Sequence, residues 1–201
     1  MSSVLRFLQT NVVTKTILYW YLRLLFGTYQ LEVIDSAGDG LPINVRQGIF
    51  YLWHEHAISG LYFLHRAGVY GHLISDATVD GCLAGFVARK LGLHVMYSTG
   101  KISFIKRAIE VIDMNKRMFI VGDGTHGPAH QLQREIPYMC ARTNVPLVYL
   151  ECRVSVALSF AKRWDLLKLP LPFSKINITI HPPRHYTFDE KHEVIELVGK
   201  K

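Results

Sequence analysis

Cysteine is scarce in this chain, acidic residues are few, and no apolar run is long enough to cross a bilayer. The 201 residues include three cysteines, Cys82, Cys140 and Cys152, each in an apolar segment and none in a CxxC pair. That excludes a disulfide framework, makes thiolate metal ligation a poor fit, and points to a reducing compartment. Residues 4–26 are the most lipid-like stretch, yet their uninterrupted apolar part runs only from Ile17 to Leu22. A spanning helix needs roughly 20 such residues. No A-x-A-like cleavage site follows the stretch around Arg6, so a secretory leader is not expected. A G-x-S-x-G elbow and an H-E-x-x-H helix are both missing, which excludes two common hydrolase designs. So is any Lys/Arg-rich block interleaved with aromatics, and no nucleic-acid partner is expected.

What remains is an apolar, basic chain. Hydrophobic residues make up 49%, charged residues only 19%, and 23 Lys and Arg against 16 Asp and Glu leave a net charge of +7. That balance suits an anionic membrane surface. Residues 1–27, with Arg6, Lys15 and Arg23 punctuating aromatic and aliphatic positions, read equally as a core helix or as an amphipathic helix lying in the membrane interface.

From Tyr29 onward, strand-like and helical patterns alternate. Strands are expected at 29–34, 49–53, 70–75, 94–97, 118–121, 147–152 and 176–180. Helices are expected after Glu55, over 82–91, along Phe104–Ile112, over 132–143 and over 190–198. The segment 163–174, rich in Pro and Leu without a period, reads as a long loop. Alternation of this kind predicts a single α/β domain, residues 28–201, with a mixed, largely parallel sheet flanked by helices.

Chemistry concentrates at two strand ends. The run Ile49-Phe50-Tyr51-Leu52-Trp53 has the profile of a strand buried on both faces, and it stops at His54-Glu55-His56. The carboxyl end of a strand in an open α/β sheet is where ligands bind, and a neutral imidazole there is a fit general base. Of the two histidines, His54 is the primary candidate and His56 the rival; Glu55, adjacent in sequence, points away from His54. The second cluster, Gly122-Asp123-Gly124-Thr125-His126-Gly127-Pro128, follows another buried strand. It formally matches the dinucleotide fingerprint G-x-G-x-x-G, but Pro128 interrupts where a helix should begin. Ser98-Thr99-Gly100-Lys101 resembles the tail of a phosphate-binding loop, yet Val95 stands where that loop needs a glycine.

Taken together, YLWHEH, HLISDATVDG, FIVGDGTHGP and PLVYL ahead of WDLLKLPLPFSKINITIHPP resemble a bacterial family of uncharacterised proteins. That family lies in the lysophospholipid acyltransferase-like superfamily, related to glycerolphosphate acyltransferases, and the resemblance runs along nearly the whole chain. It implies an α/β fold, peripheral attachment to the cytoplasmic face of the inner membrane, and acyl transfer from acyl-CoA or acyl carrier protein to a lipid or lysophospholipid-like hydroxyl. It implies no metal and no cofactor beyond that co-substrate.

The superfamily's first block is His-x4-Asp. His54 matches, while Ser59 stands at the aspartate position, and the resemblance points to Asp80, at the Asp80-Gly81 step of the loop that follows Ser75, as the substitute carboxylate. Its third block has an acid-Gly-Thr-Arg core. Asp123, Gly124 and Thr125 keep three of these, His126 replaces the arginine, and Gly127 follows. Histidine lacks the permanent bidentate charge with which arginine grips phosphate. Lys101, Lys106 and Arg107, in a stretch like the second block, would supply that charge. Acyl transfer is thus the leading expectation. The alternatives are a catalytically silent lipid binder of the same fold and, behind it, a nucleotide-binding oxidoreductase.

Overall fold

The computed structural model describes residues 11–36, 47–114, 116–124, 127–160, 162–189 and 193–197. It opens with helix α1 (Val12–Thr28), whose first turn is capped by the Asn11 carboxamide accepting the Val13 N–H at 2.8 Å. Then follow β1 (Gln30–Asp35), β2 (Gly48–Leu52), a 3₁₀ turn (His54–His56) and α2 (Ala57–Arg66). Next come β3 (His72–Asp76), α3 (Val79–Lys90), β4 (His94–Ser98), α4 (Lys101–Asp113) and β5 (Arg117–Val121). The chain continues through α5 (Glu135–Thr143), β6 (Leu147–Val154), β7 (Ala157–Ser159), β8 (Lys168–Pro170), β9 (Lys175–Ile180), β10 (His185–Phe188) and β11 (Val194–Leu197).

Seven strands form one sheet in the order β1-β9-β6-β2-β5-β3-β4. All neighbours are parallel except β6 and β9. This is the mixed, largely parallel α/β sheet expected from the alternating pattern. Strand β2 lies near the centre and is buried on both faces. Side chains alternate along a strand, so Phe50 and Leu52 join one core layer with Tyr62, Phe63 and Phe119, and Ile49 and Tyr51 join the other with Ile112, Met118, Met139 and Leu147. The continuous apolar run that made the segment look doubly buried is explained by those two layers.

Helix α1 buries Leu22, Leu25 and Phe26, with Phe26 packed against Tyr29 and Tyr62. Its opposite face leaves Val13, Ile17, Trp20 and Leu24 in solvent, Leu24 at 74% exposure. The helix is therefore apolar on two faces, and among the described residues only one of them is packed against protein. Among the described residues no helix is long and apolar enough to cross a membrane. Of the segment 1–27, residues 1–10 lie outside the described residues.

Two expectations are corrected. Within 190–198, where a helix is expected, the described residues Val194–Leu197 are instead a strand pairing antiparallel with His185–Phe188, while 190–192 and 198 lie outside the described residues. The Asp189 carboxylate accepts the Glu193 N–H at 2.6 Å, and β-branched Val194 pairs with Phe188 in the ladder. The segment 163–174 is not a structureless loop either, since β8 within it pairs with β7. Its residues show no period because the hairpin is apolar on exposed and covered sides alike.

Candidate functional site

The site is built where β2 and β5 end side by side. Leu52 and Val121 are register partners, and the Gly122 N–H donates to the Leu52 carbonyl at 2.8 Å, so the glycine-rich loop starts beside the 3₁₀ turn that carries His54. Glycine is required at 122 because a Cβ there would lie 2.6 Å from the Tyr51 ring. Asp123 is fully buried, and its carboxylate accepts two backbone donors: His54 N–H at 3.1 Å and His130 N–H at 3.2 Å. Both oxygens are thus spent on holding the loop against the turn. Gln133 secures the loop from behind, donating to the carbonyls of Asp123 and Gly127.

That clamp sets the imidazole. His54 Nδ1 lies 3.0 Å from the Gly124 carbonyl oxygen. A carbonyl can only accept, so Nδ1 carries the proton and Nε2 of the neutral ring is the bare, basic nitrogen. Nε2 faces Asp165, whose Oδ2 is 4.0 Å away, too long for a hydrogen bond and close enough to attract a proton arriving between them. The Trp164 ring stands edge-on to His54 at 5.3 Å between centroids.

Asp165 is itself held. Only 1% exposed, it takes Arg163 N–H groups at 2.9–3.3 Å and the Leu167 N–H at 3.2 Å. Burial pushes its carboxyl upward, but the Arg163 bonds, the Leu167 N–H and the nearby positive charge outweigh that, so it stays below the usual carboxylate range. Arg163 also reaches Asp80, 3.4 Å from both terminal nitrogens.

Asp80 therefore does not hold the second ring nitrogen of His54. Nδ1 belongs to the Gly124 carbonyl, and the carboxylate facing Nε2 is Asp165, with Asp80 one step further out behind Arg163. Nor does Asp80 cap α3, because the Thr78 hydroxyl does so, accepting the Gly81 N–H at 3.2 Å. Ser59, where the resemblance leads one to expect an aspartate, is fully buried on α2 with its hydroxyl against the Cys152 thiol.

Glu55 turns away from His54, as expected of a sequence neighbour. Its buried carboxylate gathers His56 Nε2 at 3.0 Å, His130 Nε2 at 3.1 Å and Lys168 Nζ at 2.8 Å. Burial raises its pKa, and the Lys168 bond together with the neighbouring His56, Lys168 and His130 lowers it further than that, for a net fall. Burial also depresses His56, whose Nδ1 is buried without a hydrogen-bond partner among the described residues. With one nitrogen on Glu55 and the other enclosed, His56 is a poor base. The cluster instead pins the 3₁₀ turn to β8. Beside it, a cavity of about 350 Å³ lies between His56, the end of β6 and the β7–β8 hairpin, with Arg153, Ser159 and Lys168 in its wall.

The remaining candidates sit elsewhere. Lys101, Lys106 and Arg107 line an open groove of about 730 Å³ at the start of α4. Strand β4, which leads into it, is three strands from β2, about 14 Å at roughly 4.8 Å per strand. Lys101 is committed to Glu135 at 2.6 Å. Thr125 and His126 lie outside the described residues. Gly127, at φ +70°, leaves room for Trp164, whose ring a Cβ would meet at 2.6 Å. The N–H groups of Gly122 and Gly124 already donate to the Leu52 and Val121 carbonyls, so neither is free to serve as an oxyanion donor. The formal dinucleotide match also lacks its helix, since α5 begins at Glu135, well beyond Gly127.

Sequence reasoning missed Arg163, Trp164 and Asp165. Asp165 did leave one signal: it is the single acidic residue between Glu151 and Asp189, set in an apolar, basic stretch.

Comparison with known proteins matches this geometry to a fold. No family model matches the chain. An uncharacterized protein of Rickettsia prowazekii (strain Madrid E) is 30% identical over 187 residues, covering 90% of this chain and 84% of that protein. Among solved structures, the 1-acyl-sn-glycerophosphate (LPA) acyltransferase PlsC of Thermotoga maritima superposes with a TM-score of 0.51 at 16% identity. The superposition covers 85% of this chain and 68% of that one, and it shows a shared acyltransferase-like α/β fold.

Proposed function

We propose that this chain, which belongs to the family of the Rickettsia prowazekii protein, moves an acyl group from a thioester to a lipid hydroxyl. The donor is acyl-CoA or acyl carrier protein, and the acceptor is of the lysophospholipid class that the fold neighbour's name specifies. In this reading the protein belongs to the lysophospholipid acyltransferase-like superfamily. Residues 1–27 form an interfacial segment on the cytoplasmic face of the inner membrane, ahead of a catalytic domain of residues 28–201.

The observation that carries the reading is the state of His54. Its Nδ1 proton is held by the Gly124 carbonyl, and bare Nε2 points at Asp165 from the carboxyl end of a buried parallel strand. The acceptor hydroxyl places its proton on Nε2 as its oxygen attacks the thioester carbonyl. The imidazolium formed at that moment faces the Asp165 carboxylate. When the tetrahedral intermediate collapses, the carbon–sulfur bond breaks and His54 returns the proton to the departing thiolate. Atoms balance as ester plus free thiol, with no covalent enzyme intermediate.

The test is release of CoA thiol from a long-chain acyl-CoA in the presence of detergent-dispersed lysophosphatidate. Wild-type protein turns over, and His54→Ala loses about 10²–10⁴ in rate while staying folded. Near-normal turnover in His54→Ala ends the mechanism. Wild-type inactivity with CoA and carrier-protein thioesters alike, with lipid still bound, replaces it by the silent lipid binder.

A further inference from the structure

Besides α1, one other region of the described surface is conspicuously apolar. Between β6 and β9 the chain leaves Val156, Leu158, Phe160, Trp164, Leu171 and Phe173 each at least 40% exposed, Phe173 at 76%. These residues surround a short hairpin, β7–β8, that stands off the main sheet across the 350 Å³ cavity. A soluble surface does not normally carry so many large apolar side chains together.

The same stretch is cationic. Residues 155–175 contain Lys162, Arg163, Lys168 and Lys175 against one carboxylate, Asp165. Arg163 and Lys168 are paired with Asp165 and Glu55, whereas Lys162 and Lys175 are exposed and have no ion-pair partner among the described residues. Aromatic rings next to free lysines are the composition of a membrane-interface contact: rings sit at headgroup depth and ammonium groups meet anionic lipid.

The position fits the chemistry. Trp164, within this stretch, is the ring edge-on to His54. At its other end the stretch joins α1, since the Phe173 N–H donates to the Thr28 hydroxyl at 3.2 Å and the Tyr29 hydroxyl to the Pro170 carbonyl at 2.6 Å. The exposed α1 stripe ends at Leu24, one turn before Thr28.

We infer that the β7–β8 hairpin and its flanks are a second membrane-docking surface, seated on an anionic bilayer beside the mouth of the His54 site. The inference deepens the acyl-transfer reading by locating where a lipid acceptor enters. It is read by binding alone, without turnover. In this arrangement α1 and the hairpin each contribute to bilayer affinity, and the hairpin brings Trp164 to the headgroups.

The experiment compares wild type, Leu158→Asp/Phe173→Asp and, in α1, Trp20→Asp/Leu24→Asp by co-sedimentation with phosphatidylcholine vesicles. Vesicles with and without an equal part of phosphatidylglycerol are used. The hairpin variant should lose at least tenfold in partitioning onto the phosphatidylglycerol vesicles and keep its circular dichroism. Wild-type binding should fall when phosphatidylglycerol is omitted or salt is raised. Should the hairpin variant misfold, Phe173→Cys in a Cys82→Ser background carries an environment-sensitive dye, expected to shift blue on the same vesicles. Unchanged partitioning of a folded hairpin variant, no dye shift, or wild-type binding indifferent to phosphatidylglycerol each overturns the inference. Turnover on detergent-dispersed acceptor, measured in parallel, keeps this outcome separate from that of the acyl-transfer reading: a variant that loses vesicles but keeps that turnover supports both.

Discussion

Replacing Asp165 by asparagine removes one negative charge from the side of the ring where, in the proposed acyl transfer, the proton arrives. At 4.0 Å and an effective dielectric constant near 20, a full carboxylate would stabilise an imidazolium by about 4 kcal/mol. Arg163 sits 2.9 Å from the same Oδ2 and offsets part of that field. Taking half leaves about 2 kcal/mol, or roughly thirtyfold in rate. Asparagine keeps an acceptor for the Leu167 N–H, so the loop geometry has a means to persist.

The folding cost should be smaller than for a fully buried ion pair, where loss of one partner takes about 3–5 kcal/mol. The Arg163 side chain is 42% exposed and retains Asp80, so water and a second carboxylate share its charge, and about 1–2 kcal/mol is expected. Thiol release measured against acceptor concentration gives kcat and KM, and urea unfolding gives the stability change. The expected pattern is kcat down roughly thirtyfold with KM near the wild-type value, because charge stabilisation appears only as the proton moves. A folded Asp165→Asn protein within about twofold of wild-type kcat would refute the assignment, leaving Asp165 as an anchor for Arg163 alone.

Two other outcomes follow from the same geometry. Gly127→Ala should cut activity more than stability, because its Cβ would meet Trp164 at 2.6 Å from a left-handed backbone and push the indole against His54; kinetics beside a thermal melt will show which suffers more. Acid should unfold the protein in two stages. His56 is depressed by burial, so the fold prefers its neutral ring and stability begins to fall as pH drops below about 6.5; Glu55 and Asp165, also depressed, contribute stability above their unfolded values and lose it as pH falls further through their folded ones. Urea midpoints across pH 3–8 for wild type and His56→Gln check this, and a His56→Gln profile as steep as wild type between pH 7 and 5 contradicts the first stage.

Much of the scaffold could be read from local pattern. Strand β2 announces itself by five apolar residues buried on both faces, and the two polar clusters at the ends of β2 and β5 follow from it, since parallel neighbours end together. The partner of His54 could not be read that way. Asp165 lies more than a hundred residues later, in a stretch whose apolar residues face solvent as well as protein, so periodicity was absent where the chemistry was. The strand at 194–197 is not distinct in sequence because a charged block, Glu190 to Glu193, followed by aliphatic residues around Glu196 fits a short helix equally until pairing with β10 decides the matter. Asp80 looked like a catalytic carboxylate on motif grounds and belongs to the same network, one guanidinium removed.

In the proposed acyltransferase reading, a serine at position 59 in place of the superfamily's aspartate becomes intelligible from packing. Residue 59 sits on α2 at full burial beside Cys152, whose thiol burial pushes up to about 12. A carboxylate there would be desolvated by the same surroundings and would tend to protonate rather than serve His54. Serine leaves that core neutral, and the two duties of the usual aspartate are divided. Tautomer and ring orientation pass to the Gly124 carbonyl, itself fixed because Asp123 ties the loop to the His54 backbone. Charge stabilisation passes to Asp165, on the opposite nitrogen and kept ionised by Arg163. A carbonyl on Nδ1 contributes less to a positive ring than a carboxylate does, so the base depends more on what meets Nε2. In the proposed acyl transfer, that makes the segment bearing Arg163, Trp164 and Asp165 part of the reaction centre.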